Sequence, residues 1–278
     1  MAISMQSLRK VTADQPPRLL IYGPEKMGKT TLASQFPNPV FIQTERGEST
    51  GLELTSFGHL TSFQEVLDAF GVLAAEDHEF KTVVIDSVSA LEKLIWGQVC
   101  ENSNVRSIEL AAGGYGKGYV EAINLWGEVL DALNYLRINR GMTIVLLGHS
   151  LVTSFDDPET QSYSIYDIDL FNGKKSSSRA LITREVDAIL LIKKDVTIKT
   201  ENANPKNPGR ARADGGDTRW IYTQGRPAFT AGNRYSMPDR LMFPDPAKSP
   251  GAGYAAIAPF LPAQAAPEPA KVPAKKAA

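Results

Sequence analysis

The sequence predicts an α/β domain with a mostly parallel sheet covered by helices on both faces. Three observations predict it. Apolar runs of strand length recur: RLLIY (18–22), VFIQT (40–44), TVVID (82–86), MTIVLLG (142–148) and AILLI (188–192). Stretches of helical period separate them, the alternation expected of buried parallel strands. The first run leads straight into a glycine-rich turn and a helix, GPEKMGKTTLA (23–33).

Each element follows from local chemistry. The helix behind the turn is expected from Lys29 to about Phe36, where PNP (37–39) stops it, because proline lacks the N–H and clashes with the preceding turn. Ser62-x-x-Glu65 has the form of a capping box, and Phe63, Val66, Leu67, Phe70 and Leu73 follow at helical spacing. Val88, Leu91, Leu94, Ile95 and Val99 mark a helix behind TVVID. A glycine-rich loop (111–118) precedes a long amphipathic helix carrying Ala122, Leu125, Trp126, Val129, Leu130, Leu133 and Leu136. Beyond Lys193, VTIKT (196–200) and TRWIYT (218–223) alternate like the strands of a C-terminal β-hairpin around a polar tip. The expected organisation is an N-terminal extension (1–17), one domain (18–245, hairpin region 194–245) and a disordered Ala/Pro/Lys tail (246–278).

Composition excludes several classes. Net charge is −1, so any nucleic-acid surface must be a local patch. One cysteine, Cys100, allows no internal disulfide, and the scattered His59, His78 and His149 form no zinc-spaced cluster. No apolar run approaches the ~18 residues of a membrane span, and the first residues lack a signal-peptide apolar core, so no membrane association and a cytoplasmic location are expected.

Gly23-Pro24-Glu25-Lys26-Met27-Gly28-Lys29-Thr30 fits G-x-x-x-x-G-K-[ST] in full, between the required strand and helix. Glycines let backbone N–H groups wrap phosphates, Lys29 reaches the β- and γ-phosphates, and the Thr30 hydroxyl suits Mg²⁺. The candidate nucleotide-binding residues are Gly23 to Thr31, every position of the stretch, with ATP and Mg²⁺ the implied ligands. A chance glycine turn is the competing reading. Asp86 ends TVVID, where a carboxylate completes Mg²⁺ coordination in P-loop proteins; an Asp capping the next helix is the competitor. Hydrolysis needs a group to orient water. Ser87 follows Asp86 and cannot be that base, which leaves Glu45, at the end of VFIQTE, or else an exposed loop acid beside Glu48 and Glu53.

GPEKMGKTTL closely resembles the P-loop of RecA-type recombinases. The resemblance implies that Glu45 is the water-activating glutamate, that VVIDSVSAL (83–91) is the metal-binding strand, and that MTIVLLG lies between the P-loop strand and that strand. It also implies that His149 is the polar sensor of the γ-phosphate, where the family often has Gln. Nearer still is a group of phage-encoded RecA-like ATP-binding proteins, some grouped with single-strand-annealing recombination functions. GGYGKGY (113–119), Trp126 and NRY-x-x-P (233–238) are similar to theirs. The resemblance spans about 18–241 and is strongest in the first half; no counterpart of the extra N-terminal domain of cellular RecA is expected.

Two stretches then fall in the place of DNA-facing loops. GGYGKGY offers Lys117 to phosphate and Tyr115 or Tyr119 to a base; a flexible linker is the competing reading. Between the fourth and fifth strands, a long loop (151–187) carries NGKKSSSR, whose Lys174, Lys175 and Arg179 suit a phosphate backbone; a solvated loop competes. Arg226 and Arg234 are candidates for a cation acting on a neighbouring subunit's site, among the C-terminal arginines that also include Arg210 and Arg212. The resemblance implies an ATPase acting on single-stranded DNA in the host cytoplasm, with an annealing or single-strand-binding protein as a further partner and a homo-oligomer as a possible state. A non-hydrolysing nucleotide switch and a small-molecule kinase with GRAR (209–212) as its lid remain the alternatives.

Overall fold

A computed structural model describes residues 15–47, 52–195, 197–201, 210–214, 216, 218–246 and 248–262. The extension before Gln15, Glu48, most of the polar tip at 202–209 and the tail beyond Pro262 lie outside the described residues, as do the side chains of Arg210 and Arg212.

Strand β1 (Arg18–Gly23) runs through the phosphate loop into helix α1 (Lys29–Ala33). Strands β2 (Pro39–Gln43) and β3 (Ser56–His59), helix α2 (Phe63–Ala75), strand β4 (Thr82–Asp86) and helix α3 (Val88–Asn102) follow. Helix α4 (Lys117–Asn139) leads to β5 (Thr143–Phe155), β6 (Tyr163–Ile168), helix α5 (Ser178–Glu185) and β7 (Ala188–Lys194). The C-terminal part holds β8 (Thr197–Glu201), β9 (Arg210–Asp214), β10 (Arg219–Tyr222), β11 (Gly232–Asn233), β12 (Arg240–Phe243) and helix α6 (Ala252–Ile257).

The main path of the sheet is β12-β10-β7-β1-β5-β4-β2-β3. From β7 to β3 every neighbouring pair is parallel, while β10 and β12 are antiparallel additions at the β7 edge. The strand carrying MTIVLLG does lie between β1 and β4. The expected α/β class with a mostly parallel sheet is what forms. Each face carries its own core. Helices α2, α3 and α4 cover one with Phe70, Leu91, Trp126 and Leu133; α1 and α6 cover the other with Leu32 and Ile257, packed with Phe243 of β12. Burying each such side chain contributes about 1.5–3 kcal/mol. The Ser62–Glu65 capping box forms in full at the start of α2.

Four expectations change. The long loop at 151–187 is instead a β-hairpin and a helix. β5 continues past Gly148 to pair with β6, Ser150 opposite Ile168 through Phe155 opposite Tyr163, and α5 follows, capped by the Ser177 hydroxyl. VTIKT and TRWIYT do not pair. β8 pairs with β9, and β10 pairs with β7 and β12, because alternation marks a strand without naming its partner. The disordered tail does not start at 246, since α6 packs on the body with Ile257 fully buried. Within 111–118, a 3-10 turn (Ala111–Gly113) leads into α4 at Lys117, so the loop is shorter than expected.

Candidate nucleotide site

The site lies at the C-terminal ends of β1, β4 and β2, as expected for ligands of open α/β sheets. β1 ends at Gly23, and the turn closes on Gly28 at φ 92°, a left-handed conformation that favours glycine. Lys29 is 8% exposed, and its Nζ donates to the carbonyls of Gly23 (2.9 Å) and Pro24 (3.0 Å). Burial lowers its pKa, opposed by the nearby Asp86, Glu45 and Glu25 carboxylates. The Thr30 hydroxyl donates to Asp86 Oδ2 at 2.8 Å, joining the two predicted metal residues across 56 residues of chain. Burial is the largest influence on Asp86 and pushes its carboxyl up.

Glu45 comes to the same place from the end of β2. One oxygen accepts from Ser87 Oγ at 3.1 Å, and both lie near His149 Nε2, at 3.2 and 3.0 Å. The hydrogen bond with His149 is the main reason the Glu45 carboxyl sits below its ordinary range, and it lifts His149 above its own. Ser87 also caps α3 through Ala90 N at 3.3 Å. A cleft of about 340 Å³ opens beside this group, lined by Glu25, Glu45, Ser89, Lys93, His149 and Asp169 among others. Strand, turn and helix thus gather a cation, a hydroxyl–carboxylate pair and a tethered ionised carboxylate.

The donor set fits Mg²⁺-nucleotide. Thr30 and Asp86 offer two hard oxygens, and Mg²⁺ keeps several waters and takes phosphate oxygens for the rest, so no all-protein cage is needed. Among the described residues there is no cluster of three or more His, Cys, Asp or Glu suited to a metal. A cation shared by Thr30 and Asp86 would also supply the charge that the buried carboxylate needs.

A family model described as AAA domain matches residues 15–235. The chain belongs to this AAA domain family. The match marks it as a nucleotide-binding domain of the P-loop ATPase type. It is also 25% identical over 135 residues to the SPbeta prophage-derived uncharacterized protein YorG of Bacillus subtilis (strain 168). That alignment spans 48% of this chain and 40% of the relative. No helix among the described residues is long and apolar enough to cross a membrane.

The remaining predicted residues divide. Tyr115 is 91% exposed, and Lys117, Lys174 and Lys175 are exposed. Tyr119 is committed elsewhere: its ring lies flat on Phe171 with centroids 4.0 Å apart and planes 4° apart. Arg179 is committed to an ion pair with the buried Asp167. Arg234 pairs with Asp187 at 3.1 Å, beside the start of β1 and so at the far end of the sheet from its own phosphate loop. Arg226 is exposed, its guanidinium 5.7 Å from the Tyr222 ring.

Two contributors were not singled out from sequence. Ser89 Oγ accepts from the His149 N–H at 3.2 Å; the hydroxyl pair Ser87-x-Ser89 in the first turn of α3 was the available signal. Arg219 reaches the phosphate loop from β10, its Nη1 donating to the Met27 carbonyl at 3.3 Å while its guanidinium lies 4.8 Å from the Phe243 ring centre. Nothing local distinguishes that arginine from its neighbours.

Proposed function

We propose that this chain binds Mg²⁺-ATP at Gly23 to Thr31, hydrolyses it slowly with Glu45 positioning the water, and uses the nucleotide state to control a surface for single-stranded DNA. The observation that carries the reading is the placement of Glu45. It is an ionised carboxylate fixed by Ser87 and His149, on the same edge as Lys29 and the Thr30–Asp86 pair. Phosphoryl transfer asks a protein mainly for positioning and charge stabilisation. Lys29 supplies a cation to the phosphates in exchange for two carbonyls. The turn and the start of α1 supply backbone N–H groups. Mg²⁺, when bound, neutralises phosphate charge. Glu45 orients a water and accepts its proton.

The DNA half is supported by exposure and charge. Tyr115 offers a stacking face, and Lys117, Lys174 and Lys175 offer phosphate contacts. The resemblance to phage recombination ATPases is the ground for recombination, repair or replication of phage type as the setting, and the prophage-derived relative adds support for the phage association alone. Arg226 and Arg234 are the cations available to a neighbouring copy if the chain assembles.

The test is the ATPase rate across a single-stranded DNA titration at low salt. Stimulation is expected, and Glu45→Gln should slow turnover about 10²-fold or more while nucleotide still binds. An unchanged Glu45→Gln rate removes the proposed base; no DNA binding with ATP present removes the DNA half. One observation favours a second reading. Both Glu45 oxygens are already engaged, which suits a non-hydrolysing switch that recruits an annealing or single-strand-binding protein. Tight ATP binding without turnover is its signature.

A further inference from the structure

Outside the nucleotide site, one buried carboxylate has no part in the chemistry above. Glu92 lies one turn beyond Ser89 on α3 and is 5% exposed. One oxygen accepts from the Phe171 N–H at 2.9 Å, and the other accepts from the Ser178 hydroxyl, itself 1% exposed. Phe171 and Ser178 bracket NGKKSS (172–177), the segment that presents Lys174 and Lys175. The ring of Phe171 is the one stacked on Tyr119, and both rings meet the edge of Trp96, at 6.1 and 5.5 Å between centres. Tyr119 belongs to the other candidate loop.

The same helix touches the nucleotide site. Ser87, at its cap, holds Glu45, and Ser89 holds the backbone of His149. His149 in turn accepts the Asp169 N–H on its carbonyl at 2.9 Å. One face of α3 therefore fixes both roots of the β5–β6 hairpin, at His149 and at Phe171. A surface loop needs no buried acid to hold it, and burying one is costly unless its partners are specific.

We propose that Glu92 is a positioning residue: it ties the Lys174–Lys175 segment, and through Phe171 the Tyr119 side as well, to the helix that carries Ser87 and Ser89, so that the nucleotide state sets the order of that segment. This rests on the reading of the site as a nucleotide switch but needs no DNA. Burial pushes the Glu92 carboxyl upward in pKa, opposed by its two hydrogen bonds. A neutral acid satisfies the same partners, so Glu92→Gln keeps an acceptor for the Phe171 N–H.

The experiment is limited tryptic cleavage after Lys174 and Lys175, with and without a slowly hydrolysed ATP analogue, on the full chain. Cleavage of a transiently opened segment follows its opening equilibrium. In the wild type the analogue should change the cleavage rate. In Glu92→Ala cleavage should rise about tenfold and become indifferent to the analogue, while the analogue's Kd stays within about twofold. Glu92→Gln should restore most of the wild-type response. If Glu92→Ala does not fold, Ser178→Ala is read instead, with about threefold faster cleavage and a weakened response expected. A wild-type cleavage pattern in Glu92→Ala overturns the proposal. So does a loss of analogue affinity in parallel with protection, since that marks a residue holding up the whole core. Failure of the wild type to bind the analogue at all would instead sink the nucleotide reading.

Discussion

The sheet has two flanks around β1, and they differ in kind. On the β5-β4-β2 side stand His149, Asp86 and Glu45, gathered within hydrogen-bond reach of Thr30, Ser87 or each other. On the β7-β10-β12 side, among the described residues, the side chain bonded to the phosphate loop is a cation and not an acid. Arg219 and the Phe243 ring press against it instead, with α6 behind them. The first flank supplies chemistry and is built from parallel strands, of which β4 and β2 end at the site and β5 passes it at His149. The second supplies support and is built from the parallel strand β7 with β10 and β12 added antiparallel at its edge. The loop lies between the two and depends on both, the first to act on the nucleotide and the second to keep the loop's shape.

The sharpest way to break this division is at the seam. A Cβ on Gly23 would come 2.3 Å from the Ile192 carbonyl of β7, a backbone atom with little room to yield. Gly23→Ala should therefore destabilise the fold by about 1–3 kcal/mol. The urea midpoint measures it. An unchanged midpoint would show that β7 does not seat the loop as closely as these distances require.

The two flanks also differed in how far the sequence revealed them. The phosphate loop was legible because its chemistry needs consecutive backbone groups, so the residues sit side by side in the chain. Asp86 and Glu45 were legible as the last polar residues of apolar strands. The supporting flank was not. β10 alternates in the chain, yet its partner β7 lies across a long excursion, and local pattern carries no register. α6 hides in an Ala- and Gly-rich stretch with one strongly apolar anchor, Ile257. Glu92 reads in sequence as an ordinary charged helix position. Only the fold brings Ser178 and Phe171 to it, and only the fold commits Tyr119 to Phe171 and Arg179 to Asp167.

A smaller effect sharpens the supporting role. Arg219→Ala removes the bond to the Met27 carbonyl and the contact with Phe243. One such bond contributes about 1 kcal/mol, so the KM for ATP should rise about fivefold with kcat unchanged. The weakening should be equal for tripolyphosphate, because the effect is on the cradle and not on the base. A fall in kcat of the same size would move Arg219 to the chemical flank and erase the distinction.

The smallest effect lies in the His149–Glu45 pair, and its sign can be worked out. His149 is held above its ordinary value, so its contribution is full below about pH 6.5 and is lost as pH rises through the raised value. Glu45 is held below its ordinary value, so its contribution is full above about pH 4.3 and is lost as pH falls through the depressed one. The pair therefore stabilises most in the window between. The gap in thermal midpoint between wild type and His149→Gln should be widest near about pH 5–6 and narrow toward alkaline pH. Both side chains are partly solvent-exposed, so the gap is small. A gap that stays constant with pH would mean that the charge on the imidazole adds nothing, and that the tether on Glu45 is a hydrogen bond and not an ion pair.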